Sequence, residues 1–299
     1  MKKFKRLFKK SNYFGAMIDP KNFHRSQIKF YLILLPLLVV MMLPIIFIVS
    51  HAFKPLDELY AYPPKFFTTR ITLDNFRQLI GVAQQTGVPF SRYLFNSILV
   101  SITVIVASIL IGSLAAFAFS FLEFKMKKWL FWANQIAIMF VSVAVSVPRF
   151  IVMHELGVVN TFFAHIIPLI AMPVGVFLLK QFMDQIPREL FEAAKIDGAN
   201  KLQIYFKIIL PLIKPALATI AILAFQSAWN NVETSQLFIK DESLMTLPYY
   251  FQTLTLGTSS IAAQGISAAA SLIIFVPNIV LFIILQKNVM NTMAHSGIK

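Results

Sequence analysis

The chain contains no cysteine. That excludes disulfides, thiolate metal sites and a cysteine nucleophile, and says little about compartment. None of its glycines is followed by lysine, so it has no P-loop and cannot hydrolyse ATP by that route. No G-x-S-x-G elbow occurs. His154-Glu155 begins like a zinc-protease helix, but Val158 stands where the second histidine would be. Charge is scarce: 13% of residues are Asp, Glu, Lys or Arg, against about 25% in soluble domains. The net charge of +14 would point to nucleic acid only if the basic residues formed a stripe on a soluble fold. They lie instead mostly in segments beside apolar runs. No internal repeat, low-complexity linker or soluble domain is visible.

What is abundant is apolar sequence, 58% of 299 residues, gathered into long runs. A helical crossing needs about 20 apolar residues. The runs predict an all-α membrane protein with six transmembrane helices near 30–53, 94–121, 130–153, 162–179, 213–229 and 266–286. The fourth and fifth are interrupted or bordered by Pro168, Pro173 and Pro215, which suits spans facing protein rather than lipid. The first apolar run is too long for a signal-peptide core and has no small-residue cleavage site, so it reads as a retained anchor. Lys and Arg number nine in 1–29, three in 122–129, five in 180–212 and two in 287–299, against five in 54–93, none in 154–161 and one in 230–265. By the positive-inside bias, both tails and the 180–212 loop are cytoplasmic, and 54–93, 154–161 and 230–265 are external. The basic tail 1–29 is either an interfacial helix on anionic membrane lipid or a solvated topogenic segment. In 54–93, Leu73 to Ile80 reads as a short helix with Thr72 as its N-cap.

Between the fourth and fifth spans, 187–211 reads as two short helices around a turn. Pro187 suits a first helical position. Arg188–Glu192 and Glu192–Lys195 have ion-pair spacing. Gly198 suits a left-handed C-terminal stop, and Asn200 with Gln203 forms a capping-box pattern. Ile204, Ile208 and Leu210 give the second helix an apolar face, and Pro211 closes it. Taken locally, this is an amphipathic hairpin on a membrane or a handle for a soluble partner.

The full string Glu192-Ala193-Ala194, then Gly198 after three residues, then Ile208-Ile209-Leu210-Pro211 after nine more, resembles the E-A-A-x3-G-x9-I-x-L-P loop of ABC importer permeases, with every motif position matched. Further matches extend over nearly the whole chain: Asn96-Ser97, Leu156-Gly157-Val158-Val159-Asn160-Thr161, Ile186-Pro187-Arg188-Glu189-Leu190, Ile196-Asp197-Gly198-Ala199 and Thr246-Leu247-Pro248. They resemble the carbohydrate-importer branch, specifically the six-span subunit of the maltose-transporter type. The sequence departs from that branch at Val147-Pro148-Arg149-Phe150 and at Asn231-Val232-Glu233-Thr234-Ser235. The resemblance implies a type I importer permease fold in a bacterial inner membrane. It implies a second homologous permease, two cytoplasmic ATPases and an external solute-binding protein. ATP and magnesium would be held by the ATPases, with no cofactor in this chain. It also implies that a coupling helix docks the ATPase through Glu192, Ala193, Ala194, Ile196, Asp197, Gly198, Leu210 and Pro211. Permeases for peptides, amino acids or anions share the loop, and a self-sufficient secondary transporter remains the reading without an ATPase.

Polar residues within spans are candidates for a hydrated path: Asn96, Asn134, Gln135, Arg149, Gln226, Trp229, Asn230 and Asn278. Amides match sugar hydroxyls because each supplies donors and acceptors, yet each also suits a helix–helix hydrogen bond. Trp229 is a stacking surface or an interfacial aromatic. Arg149 either snorkels, contacts an anionic or hydroxyl-rich solute, or pairs with Glu155.

Overall fold

A computed structural model describes residues 27–85, 87–257 and 261–296. The interfacial-helix reading of the basic tail falls almost wholly outside them. Every described regular element is helical. Helix α1, Gln27–Ala52, is about 39 Å long at 1.5 Å per residue, enough for a hydrocarbon core of about 30 Å. Only Ser50, His51 and Ala52 at its end are buried. The short α2, Leu56–Leu59, and α3, Asp74–Gln85, follow in the 54–93 stretch. Thr72 Oγ1 accepts the Asp74 N–H at 3.0 Å, close to the capping role expected of it. Asn75 on α3 donates to the carbonyls of His51 and Ala52 at the C-terminus of α1 and of Lys54 just beyond it.

Helix α4, Phe90–Phe121, is the central mast, packed against most of the later helices. Its buried face is rich in small residues, among them Ser97, Ser101, Ser108, Gly112, Ser113, Ala116 and Ser120. Small side chains let neighbouring backbones approach closely, which is how spans associate without a hydrophobic drive.

The third apolar run departs from expectation. Instead of one helix over 130–153 there are two, α5 (Lys127–Met139) and α6 (Ser146–Glu155), separated by 140–145. The cause is local. Residues 141–147 read Val-Ser-Val-Ala-Val-Ser-Val, and β-branched residues are weak helix formers. Pro148 then removes the donor that would reach the Ala144 carbonyl. The fourth run is also divided, into α7 (Phe163–Ile170) and α8 (Pro173–Met183), bent by 42°. Here the bend falls immediately before Pro173.

After α9, Arg188–Ile196, the chain forms α10, Lys201–Ile204, a π-helical turn over Tyr205–Ile209, and α11, Leu210–Leu212. Helix α12, Lys214–Trp229, leaves this stretch at 82°. Pro211 therefore does not end the second helix as expected. The helix absorbs the missing proline donor in its π turn, where the Leu210 N–H bonds the Tyr205 carbonyl, and turns at Ile213. Beyond α12 come α13, Glu233–Phe238, and α14, Leu247–Gly257, before α15, Ile261–Ser296, which packs on α1 and α12.

Among the described residues, three helices are long and apolar enough to cross a membrane, over Gln27–Ala52, Phe90–Phe121 and Ala263–Gln286. Two bent pairs, α7 with α8 and 201–212 with α12, raise the number to five if each is one crossing.

Candidate functional site

Helix α9 follows Pro187, which sits just before the first helical residue with extended backbone (φ −55°, ψ 130°), one position earlier than expected. At its other end Gly198 adopts φ +82°. Its N–H bonds the Lys195 carbonyl at 3.1 Å and the Ala199 N–H bonds the Ala194 carbonyl at 3.0 Å. That pair is the Schellman closure, which needs a left-handed residue and so favours glycine. The next turn carries the expected capping box: Asn200 Oδ1 accepts the Gln203 N–H at 2.8 Å, and Gln203 Oε1 accepts the Asn200 N–H at 2.9 Å.

The signature residues divide between two faces. Glu192, Ala193, Ile196, Asp197 and Gly198 are exposed, Ile196 by 86%. The expected ion pairs of Glu192 with Arg188 and Lys195 do not form, so its carboxylate is free. A Cβ on Gly198 would meet nothing within 4 Å. Ala194 faces inward, into the buried cluster that holds Leu179, Met183, Ile204 and Ile209, and Leu210 packs against the same cluster. Pro211 is exposed.

Sequence reasoning missed how this loop is attached. Phe191 stacks on Phe121 with ring centroids 5.4 Å apart, and Tyr205 lies 5.4 Å from Phe117. The Tyr205 hydroxyl and Ser113 Oγ, both in fully buried residues, are 2.6 Å apart. Phe117 and Phe121 are one turn apart on α4, a spacing that signals a helix face, but among 30 phenylalanines it singles out neither.

The polar span residues do not converge on one site. Asn96, 1% exposed, donates to the Ser243 and Met245 carbonyls, each at 2.9 Å. Beside it Ser97 Oγ accepts the Leu247 N–H at 2.7 Å. The Asn96-Ser97 and Thr246-Leu247-Pro248 elements thus meet in space. Asn134 donates to the Pro173 carbonyl at 3.1 Å, tying α5 to α8. Trp229 is 4% exposed, donates Nε1–H to the Ile274 carbonyl at 3.0 Å and stacks on Phe225. Arg149 pairs with Glu233 at 3.0 Å rather than with Glu155. Gln135 and Gln226 are exposed. Asn230 and Asn278 do come together, exchanging amide hydrogen bonds of 3.1 and 3.4 Å. With Ser271 they give polar edges to an otherwise apolar groove of about 290 Å³ between α1, α12 and α15.

Comparison with known proteins places this geometry. Residues 30–289 match the family described as "Binding-protein-dependent transport system inner membrane component", and the chain belongs to that family. It is 32% identical over 258 residues to the arabinooligosaccharides transport system permease protein AraQ of Halalkalibacterium halodurans, covering 86% of this chain and 90% of that one. It is 31% identical over 260 residues to the trehalose transport system permease protein SugB of Mycobacterium tuberculosis, covering 86% and 92%. The fold matches a chain of a bacterial ABC transporter involved in import of the acidic polysaccharide alginate, with a TM-score of 0.76 at 23% identity, over 89% of this chain and 98% of that one. The chain is an ABC importer permease.

Proposed function

We propose that this chain forms half of the translocation pathway of a carbohydrate importer and passes the closure of partner ATPases to its spans through α9. The observation that carries this is the division of the signature loop. One face, Glu192, Ala193, Ile196, Asp197 and Gly198, is exposed and free to dock an ATPase that binds ATP and magnesium. The other, through Ala194, Phe191 and Tyr205, is packed into α4 and α8. A push on α9 therefore moves packed helices rather than a slack loop. Ala194 and Leu210 serve as anchors, and Pro211 sets the course of the chain into α12.

The carbohydrate assignment draws on the relatives named for arabinooligosaccharides and trehalose, and on the Asp197-Gly198-Ala199 and Thr246-Leu247-Pro248 elements. Arg149, engaged by Glu233, lends no support to an anionic solute. In this reading the chain crosses the membrane six times, α5 and α6 making the third crossing, with both termini cytoplasmic. The break at 140–145 lies about 20 Å along that crossing from Lys127. The break and the helix end before it are exposed, Val143 and Met139 by 81% each. Irregular backbone at membrane depth survives only against protein or water. A second, homologous permease covering this face meets that need, and an external solute-binding protein would deliver to the pair. The groove edged by Asn230, Ser271 and Asn278 is the surface we assign to the solute.

The test is affinity purification of the tagged chain from its native membrane. Recovery of a second multi-span protein and a P-loop ATPase, with the ATPase lost on Gly198→Val, is the expected result. A β-branched residue at φ +82° is strained, and its side chain projects into the open docking face. Recovery of the chain alone, still competent for uptake in proteoliposomes, overturns the proposal in favour of a secondary transporter.

A further inference from the structure

Where α4 ends and α5 begins, a cleft of about 490 Å³ opens against the last turn of α8 and the start of α9. Its volume lies in the range of roughly 300–1,000 Å³ usual for small-ligand sites. Four cations line it, Lys127, Lys128, Lys180 and Arg188, against two carboxylates. Both carboxylates are already engaged: Lys127 Nζ lies 3.5 Å from Glu123, and Lys180 Nζ 2.5 Å from Asp184. Lys128 and Arg188 have no carboxylate partner, so the cleft keeps a net positive charge. A second observation points the same way. Ser120 lines the cleft, is 6% exposed, and its hydroxyl finds no hydrogen-bond partner in the protein. The hydroxyls of Ser101, Ser108 and Thr219 are left the same way elsewhere, but of the four only Ser120 lines the cleft, where an acceptor oxygen would satisfy it once the side chain turns outward.

We infer that the cleft binds the phosphate-bearing headgroup of an anionic phospholipid from the cytoplasmic leaflet. The inference rests on the cytoplasmic placement of 122–129 and 180–212 proposed above. Two features select a lipid over a free phosphate. The site sits at the membrane boundary of two spans, where basic pockets meet anionic headgroups. Its floor is aromatic: Phe119 and Phe131 line it, and the Lys180 ammonium lies 4.7 Å above the Phe131 ring. That surface accepts the first carbons of an acyl chain and offers nothing to inorganic phosphate. Because Arg188 opens α9, an occupied cleft braces the joint between α8 and the coupling helix.

The experiment uses the full chain, purified with whatever subunits accompany it, from nanodiscs of equal parts phosphatidylglycerol and phosphatidylcholine. Native mass spectrometry then counts retained lipid. Phosphatidylglycerol should be retained in preference to phosphatidylcholine. Lys128→Gln and Arg188→Gln should each lower its retention about fivefold, and together about thirtyfold. Ser120→Ala should lower it less, and Lys201→Gln, outside the cleft, not at all. Equal retention of the two lipids, or retention untouched by the double variant, overturns the inference. Displacement of the lipid by inorganic phosphate alone overturns the lipid assignment and leaves a soluble phosphate site. The readout requires neither transport nor an ATPase. Lipid retention by a chain that is recovered alone and transports without an ATPase would therefore refute the coupling proposal and uphold this one.

Discussion

Arg149 and Glu233 hold each other at 3.0 Å across the gap between α6 and α13. They also lie in the two stretches where the sequence departs from the carbohydrate-importer pattern, Val147-Pro148-Arg149-Phe150 and Asn231-Val232-Glu233-Thr234-Ser235. The two departures are thus one structural feature, an ion pair that fastens α6 to α13. The side chains are 26% and 31% exposed, so the pair is partly shielded from solvent.

Neutralising either partner strands the other as a half-buried charge. Arg149→Gln and Glu233→Gln should each lower the melting temperature of the detergent-solubilised protein, and the doubly neutral variant should lose less than the sum. The coupling energy expected from a double-mutant cycle is about 1 kcal/mol. The exchanged pair, Arg149→Glu with Glu233→Arg, should recover part of the loss. Additive single effects would mean that the contact contributes nothing and that Arg149 is free for the solute.

Asn96 offers a sharper division between structure and transport. Its amide satisfies two carbonyls between α13 and α14, those of Ser243 and Met245. Asn96→Ala removes both bonds and leaves buried acceptors unmet, for a loss of about 2–4 kcal/mol. Hydrogen exchange should rise across 241–247 while the KM for the transported solute stays unchanged in the protein that remains folded. Asn96→Asp keeps the shape but turns donors into acceptors, so it should be no better. A raised KM with unchanged exchange would return Asn96 to the solute path.

How far the sequence could be read depends on range. Helices α1, α4 and α15 were legible because a run of apolar residues long enough to cross a membrane has few alternatives. The Gly198 stop and the Asn200–Gln203 capping box were legible because their physics is contained within a few residues. The division of 130–153 was not, since hydropathy measures partition into lipid and is blind to whether a valine run with a proline after it stays helical. Tyr205 and Ser113 were invisible, one hydroxyl pair from residues 92 apart. Asn96-Ser97 and Thr246-Leu247-Pro248 were each recognised as strings, but nothing in either string says that they hydrogen-bond to one another. Among the polar span residues, a buried amide satisfied by backbone, such as that of Asn96, looks the same in sequence as one that faces a sugar.

Acid should loosen the stretch between α1 and α3 late. Glu58 accepts from the hydroxyl and N–H of Thr69 and from the hydroxyl of Thr68, and Arg70 lies nearby. The Thr69 hydroxyl is the main reason that its carboxyl is pulled down to about 2. A carboxylate whose pKa is depressed on folding contributes stability above its unfolded value of about 4.3 and loses it as pH falls toward the folded value. Exchange of the Thr69 amide, corrected for its intrinsic pH dependence, should stay slow down to about pH 4.3 and quicken between there and about pH 2. In Glu58→Gln that amide should exchange fast at every pH. A transition near neutral pH would mean another group controls the segment.

Gly265 tests the packing where α15 meets α2 and α3. A Cβ at this position would lie 2.5 Å from Asn75 Oδ1 and 2.8 Å from Leu59 Cδ1. The leucine can rotate away. The asparagine cannot do so freely, because its Nδ2 is committed to the carbonyls of His51, Ala52 and Lys54 at the end of α1. In an unconstrained helix alanine is the better residue by about 1 kcal/mol. Here overpacking outweighs that gain, and Gly265→Ala should destabilise by about 1–3 kcal/mol. Asn75→Ala alone should also destabilise, by surrendering three bonds, but it makes room for the methyl group. The double variant should therefore cost clearly less than the two single losses added together. A neutral or stabilising Gly265→Ala would show that α3 can move off α15, and that the end of α1 is held by something other than Asn75.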